Sequence, residues 1–206
     1  MQRPNPPQPH LLLAVFDVRT DRPAALLAEL GHLVTALTSG PSTELAGLAP
    51  GDLTCTLGVG PRLVAGVDPR LPGAQELPEY RRESVEPAAR GGDLLVQVCA
   101  SDPLLPALML SALSGMAGPR LVPRWRQEAA RGAPVRFGDT VSATRNLLGF
   151  VDGIVGPHTT AEFEHAVWLP GPRPVAAGTI LVIRRMRLDL PRFLALPQAD
   201  QEAVFG

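Results

Sequence analysis

Between Leu11 and Val18 the apolar residues fall on both sides of an extended run, Leu11, Leu13 and Val15 on one and Leu12, Ala14 and Phe16 on the other. That predicts a strand in a sheet covered on both faces. After Asp21 and Pro23, a helix start, the period changes: Leu26, Leu27, Leu30, Leu33, Val34 and Leu37 share one helical face as far as Gly40. Leu53, Cys55, Leu57 and Val59 then alternate with Thr54 and Thr56, which predicts a second strand. It ends at Gly58-Val59-Gly60-Pro61, glycines that are not read as opening a helix within a βαβ unit and so give no phosphate cradle. The proline-containing stretch from Gly66 to Gly92 exceeds an ordinary connection and implies local structure that periodicity does not resolve.

Leu94 to Ala100 predicts a third strand, and Ser101-Asp102-Pro103 a helix start, with Leu105, Leu108, Ala112 and Met116 on one face and Gly118 as the stop. Leu121 to Trp125 supplies a fourth strand in which Pro123 favours an edge or a bulge. The order β-α-β, β-α-β is the split arrangement called ferredoxin-like. The fold class expected is α+β: a ferredoxin-like domain over residues 1–143 and, over 144–206, the incomplete start of a second one. In that second part Glu164 to Leu169 is expected as a short strand, Gly178 to Leu190 as a longer one and Pro191 to Gly206 as helix. The longer strand places Ile180, Val182, Met186 and Leu188 on one face and Arg185 and Arg187 on the other. Such a unit, as read, lacks the strands it needs to bury its apolar face.

Composition narrows the partners. With 206 residues and 45% hydrophobic content the chain can fold, and a formal charge of −1 gives no electrostatic reason to expect nucleic acid or an anionic membrane. Base-stacking platforms are scarce, with six Phe, two Trp and one Tyr. No basic segment followed by a long apolar run marks a signal peptide or a membrane span, so the chain reads as cytoplasmic, with export of a full-length relative left open. Residues 1–9 hold four prolines and read as an irregular arm. Cys55 and Cys99 lie in separate predicted strands without CxxC spacing, which favours buried reduced thiols over a disulfide or a metal pair.

The candidate chemistry sits in Asn146-Leu147-Leu148-Gly149-Phe150-Val151-Asp152-Gly153. A carboxylate between glycines can be aimed at a ligand, because glycine lets backbone approach closely. Alone, G-x-x-D-G is a weak signal and reads first as an ordinary Asp-Gly turn.

Four segments in order change that balance: His10–Val18; Gly91 to Pro103; Arg145 to Gly153; and Gly178 to Arg187. Together they resemble the dye-decolourising (Dyp-type) haem peroxidases, in particular the branch that includes the bacterial deferrochelatase/peroxidases. The resemblance implies two ferredoxin-like domains with haem b held in the second. It implies Asp152 as the distal acid–base catalyst in splitting hydrogen peroxide, after which a reducing substrate gives up single electrons. It also implies backbone contact between the haem and Gly153, Ile154 and Val155, although many members carry Lys where Val151 stands and Thr where Ile154 stands. The family's proximal histidine and distal arginine fall beyond the last residue, and none of His10, His32, His158 and His165 matches the proximal position. No metal ligand is therefore assigned. His158 and His165 read as solvated loop residues and His32 as helix surface. Arg184, Arg185 and Arg187 are compatible with haem propionates or with the charged face of a strand.

Two classes of function follow. One is a haem peroxidase that is truncated and inactive alone, its partners hydrogen peroxide, an unidentified reductant and a C-terminal half or a second copy. The other is a non-catalytic haem-handling or interaction module, or an inert remnant.

Overall fold

The computed structural model describes residues 7–81, 83–137, 141–152, 156–157 and 159–205. Most of the proline-rich arm, residues 1–6, lies outside them. The chain divides into two compact units, one formed by residues 1–130 with 169–180 and the other by 131–168 with 181–206.

In the first unit the predicted elements form where their patterns place them: β1 (His10–Val18), α1 (Pro23–Ser39), β2 (Thr54–Val59), β3 (Leu94–Ala100), α3 (Leu105–Ala117) and β4 (Leu121–Ala130). The sheet order is β2-β3-β1-β4, with every neighbouring pair antiparallel. Insertion of β3 between β1 and β2 is the split topology that the element order predicts. Registers such as Leu12↔Val98 and Ala14↔Val96 put Leu12, Ala14, Phe16, Leu94, Val96 and Val98 on one face. There they bury with Leu26, Leu30 and Leu37 of α1 and Met109 and Leu113 of α3.

Three details differ from the pattern, and a fourth, at Pro123, agrees with it. A helix, α2 (Pro61–Val67), does open directly after Gly58-Val59-Gly60. Because β2 and β3 run antiparallel, no βαβ cradle results. α3 buries Leu105, Pro106, Met109, Leu110, Leu113 and Ala117, a face rotated from the expected Leu105–Leu108–Ala112–Met116 line, since an almost wholly apolar helix gives its periodicity little contrast. Pro123 sits at the edge strand beside a register shift between Val15 and Phe16, consistent with a missing N–H at a bulge. β4 also runs on five residues past Trp125 to Ala130.

Among the described residues of this unit Asp93 is the buried charge, 6% exposed. Its carboxylate accepts the Val18 N–H at 2.8 Å and both Nε–H and an Nη2–H of Arg62, each at 2.6 Å. Its backbone N–H donates to the Phe16 carbonyl, and its carbonyl accepts the Gly60 N–H, both at 2.8 Å. One residue thus ties the end of β1 to the start of α2. The Arg62 guanidinium holds the Asp93 carboxyl below the usual carboxylate range, helped by the Val18 N–H and opposed by burial. Gly92 has φ +119°, and a Cβ there would lie 2.1 Å from Val15 Cγ1, so only glycine fits this approach.

The second unit contains β5 (Val135–Phe137), β6 (Val141–Arg145) and β7 (Val151–Asp152) in one antiparallel array. Three short helices accompany them: α4 (Thr160–Ala166), α5 (Leu190–Leu194) and α6 (Gln198–Ala203). The strand expected over Glu164–Leu169 is instead the end of α4 and the residues after it. α4 starts in a capping box: the Glu162 N–H donates to the Thr159 hydroxyl at 3.2 Å and the Thr159 N–H to the Glu162 carboxylate at 2.8 Å. The helix expected over Pro191–Gly206 is two helices interrupted around Pro197, where no N–H is available to continue the first. Gly178 to Asp189 forms neither helix nor strand, and Leu190 opens α5. A strand exists only where its backbone groups pair, and among the described residues this segment has no ladder partner.

Candidate functional site

Asp152 ends β7, directly opposite Thr144 of β6, and Val151 pairs with Arg145. The connecting turn is built by Asn146. Its side-chain oxygen accepts the N–H groups of Leu148 at 3.0 Å and Phe150 at 3.2 Å. Its own N–H donates to the Phe150 carbonyl at 2.9 Å, and its carbonyl accepts the Gly149 N–H at 3.0 Å. Gly149, at φ +88°, supplies the left-handed step that lets the chain turn back, and Arg145 Nη1 donates to its carbonyl at 2.7 Å.

Phe150 anchors the hairpin from below. Its ring stacks on Phe205 with centroids 4.2 Å apart and meets Phe193 edge-on at 6.3 Å, within the favourable range for aromatic pairs. Phe193 and Phe205 come from the C-terminal helical segment, so apolar positions about 43 and 55 residues downstream of Phe150 fix the base of the Asp152 turn. Asn146 and this aromatic trio are the positioning residues that pattern reading missed. An Asn three residues before a Gly was the available signal for the first.

The Asp152 side chain is exposed. Gly153, Ile154 and Val155, expected at a cofactor, lie outside the described residues, as does His158. His165 is exposed on α4, not in a loop, and His32 is exposed on α1 as expected. Arg184, Arg185 and Arg187 are exposed. The described surface has a depression of about 360 Å³ in the first unit, between His10, Pro103, Pro106 and Glu128. Another, of about 480 Å³, lies along Arg187, Leu188, Asp189 and Pro191 in the second. Asp152 lines neither.

Cys55 and Cys99 are free, partly buried thiols. Cys55 pairs with Val98 and Cys99 with Thr54, so the two side chains leave opposite faces of the sheet and do not meet. Burial, with a smaller contribution from Cys99, pushes the Cys55 thiol up to about 12, which makes it a packing residue rather than a nucleophile. Among the described residues no group of three or more His, Cys, Asp or Glu side chains is placed to hold a metal ion. No helix among them is long and apolar enough to cross a membrane.

A split antiparallel sheet followed by a turn that presents a carboxylate defines an α+β protein of ferredoxin-like type with an acid-bearing second unit. Comparison with known proteins is specific about which. Residues 5–129 match the N-terminal family of Dyp-type peroxidases and residues 143–206 the C-terminal family. The chain belongs to the Dyp-type peroxidases. A dye-decolorizing peroxidase of Thermobifida fusca is 30% identical over 92% of this chain and 48% of its own length. The deferrochelatase of Escherichia coli K12 is 25% identical over 98% of this chain and 54% of its own. Among solved structures, a DyP-type peroxidase from Streptomyces coelicolor superposes with TM-score 0.83 at 29% identity, covering 96% of this chain and 57% of that one. An oxyferrous complex of DtpA from Streptomyces lividans gives 0.82 at 29% identity over the same shares. The chain thus spans about half the length of the curated relatives it matches.

Proposed function

We propose that this chain is the acid-bearing portion of a Dyp-type haem peroxidase, with Asp152 as its acid–base group toward hydrogen peroxide, and that it does not turn over peroxide by itself. The observation that carries the reading is the G-x-x-D-G carboxylate at the end of a hairpin pinned by Asn146 and Phe150, within a chain matched by both Dyp-type families.

Haem b is the cofactor this reading calls for, since relatives include peroxidases and an oxyferrous complex. A haem needs an apolar slot against both faces and an axial donor. The described residues do not enclose one: Asp152 is exposed and lines neither depression, and His165 points from a solvated helix face. No step through haem is therefore assigned to this chain. What its own residues contribute is a carboxylate at a fixed place. A carboxylate there can take up and return a proton at a bound peroxide, a role worth about 10²–10⁴-fold. Residues 1–143 and 144–206 are the two domains of this reading, and Gly153, Ile154 and Val155 its backbone contacts to the cofactor. A reductant giving single electrons completes the reaction.

A non-catalytic interaction module is favoured by a separate observation, the exposed apolar side chains of the second unit. Haem titration of the purified chain separates the two readings when followed by peroxide assays alone and with the C-terminal portion of a relative. The expected outcome is negligible turnover alone, turnover on complementation, and a loss of about 10²-fold or more with Asp152→Asn. Ordinary turnover by the chain alone, or full activity of the complemented Asp152→Asn protein, overturns the proposal.

A further inference from the structure

One peptide plane in the acid-bearing hairpin is held at both ends. Its N–H, that of Phe150, donates to the Asn146 side-chain oxygen at 3.2 Å, and its C=O, that of Gly149, accepts from Arg145 Nη1 at 2.7 Å. Asn146 also supplies the partners of the Gly149 N–H and the Phe150 carbonyl, so the Gly149 carbonyl is the group of this residue pair that takes its partner from elsewhere. A plane beside a glycine at φ +88° is where the chain is freest to turn over, because no Cβ restricts either orientation. Turning over points the Gly149 carbonyl away from Arg145 and the Phe150 N–H away from Asn146, and it redirects the chain as it leaves for Val151 and Asp152. β7 is only Val151–Asp152, so little ladder stands between that plane and the acid to absorb the error. The stacking of Phe150 on Phe205 fixes a side chain, not the rotation of the plane before it.

We propose that Arg145 is a positioning residue for Asp152: its guanidinium holds the Gly149–Phe150 peptide in one orientation and so fixes where the carboxylate stands. The proposal rests on the reading of Asp152 as the acid–base group. Arg145 acts from behind the hairpin. It pairs with Val151, whereas Thr144 pairs with Asp152, and neighbouring positions on a strand face opposite ways. The guanidinium therefore leaves on the face away from the carboxylate and works through the backbone, not on peroxide. Arginine suits this task. A bond from a charged donor to a carbonyl is stronger than a neutral one, and the exposed side chain keeps its remaining N–H groups in water while one holds the carbonyl.

Nitrogen-15 NMR of the full chain reads the clamp without any cofactor. In Arg145→Met, which keeps the length of the side chain and removes its donors, the amide signals of Gly149, Phe150 and Val151 should double, and the Phe150 amide should exchange about tenfold faster. Arg145→Lys, which keeps a charged donor, should restore a single set of signals. Signals of β1 and β3 should stay in place in both variants, which separates loss of the clamp from loss of the fold. In protein complemented with the C-terminal portion of a relative, Arg145→Met should lose about tenfold or more in kcat/KM for hydrogen peroxide. The kcat/KM for the reductant should not change, and Arg145→Lys should recover the loss. A single, unshifted set of signals in Arg145→Met, no recovery by lysine, or equal losses for peroxide and reductant overturns the proposal. Doubled signals with peroxide turnover intact in Arg145→Met but lost in Asp152→Asn remove the positioning role and keep the acid. Full activity of Asp152→Asn removes the acid itself, whatever Arg145 does.

Discussion

Removing the Asp93 carboxylate tests whether the first unit is tied together by charge as well as by burial. Asp93→Ala strands the Val18 N–H, which now donates to that carboxylate at 2.8 Å at the buried end of β1. An unsatisfied buried donor costs about 1–3 kcal/mol. The two bonds from Arg62 add less than their 2.6 Å lengths suggest. The Arg62 side chain is 63% exposed, so water replaces the partner and the net loss is about 0–1 kcal/mol. The sum is about 1–4 kcal/mol for Asp93→Ala. For Asp93→Asn, which keeps an acceptor for Val18 but loses the charge, it is about 1 kcal/mol. Urea unfolding in a Trp168→Phe background, with Trp125 reporting the first unit, should show midpoints lowered by about 1 M and about 0.5 M respectively. The pH dependence has a definite sign. Arg62 and the Val18 N–H hold the folded carboxyl below its ordinary value, so its contribution is complete above an unfolded-state value of about 3.9 and is lost as pH falls through the lower, folded value. The gap between native chain and Asp93→Asn should therefore be constant from neutral pH down to about 5 and close below about 4. A gap under about 0.3 kcal/mol at neutral pH, or one that persists unchanged into strong acid, refutes the reasoning.

Gly92→Ala should cost about 2–4 kcal/mol, because a Cβ at φ +119° meets Val15 Cγ1 at 2.1 Å. Gly31→Ala in α1, where nothing lies within 4 Å of the added atom, should stabilise by about 0.5–1 kcal/mol. The two midpoints, read in one urea series, must move in opposite directions. Asn146→Ala removes the acceptor for the Leu148 and Phe150 N–H groups and should speed exchange of those amides by about tenfold with little change in global stability, since each bond is worth about 1 kcal/mol. Asn146→Asp, which keeps an acceptor, should not. Cys55 should resist iodoacetamide at neutral pH in the folded chain, because burial lifts its thiol to about 12; alkylation at the rate of the unfolded chain contradicts that placement.

The first unit was legible because each of its elements is long enough to show its own period. Leu26, Leu30 and Leu37 mark the inward line of α1 without reference to anything else in the chain. Even α3, whose existence was plain, lost its phase because its residues are apolar all round. β5, β6 and β7 span three, five and two residues, too few for alternation to stand out. The capping box at Thr159 and Glu162 is a T-x-x-E pattern, a helix-start signal that the strand expected over Glu164–Leu169 leaves unused. Asp152 could be singled out from its glycines, but the residues that hold its turn could not, because Phe193 and Phe205 are adjacent to Phe150 only in three dimensions.

The stretch after Gly178 carries a different lesson. Its apolar pattern reads as a buried strand, and Leu181, Val182 and Ile183 have the side chains of one, yet they stand exposed and unpaired. A helix closes its hydrogen bonds within itself, whereas a strand borrows them from a neighbour. Periodicity can therefore announce a strand whose partner the described residues do not contain. Two observations about the second unit stand side by side: the Asp152 side chain is exposed, and so is the run Leu181-Val182-Ile183. If a complementing polypeptide protects 181–188, burial around Asp152 should rise with it, and exchange of the Phe150 and Val151 amides should slow together with that of the run. Slowing of one without the other would mean that the hairpin and the run answer to different partners.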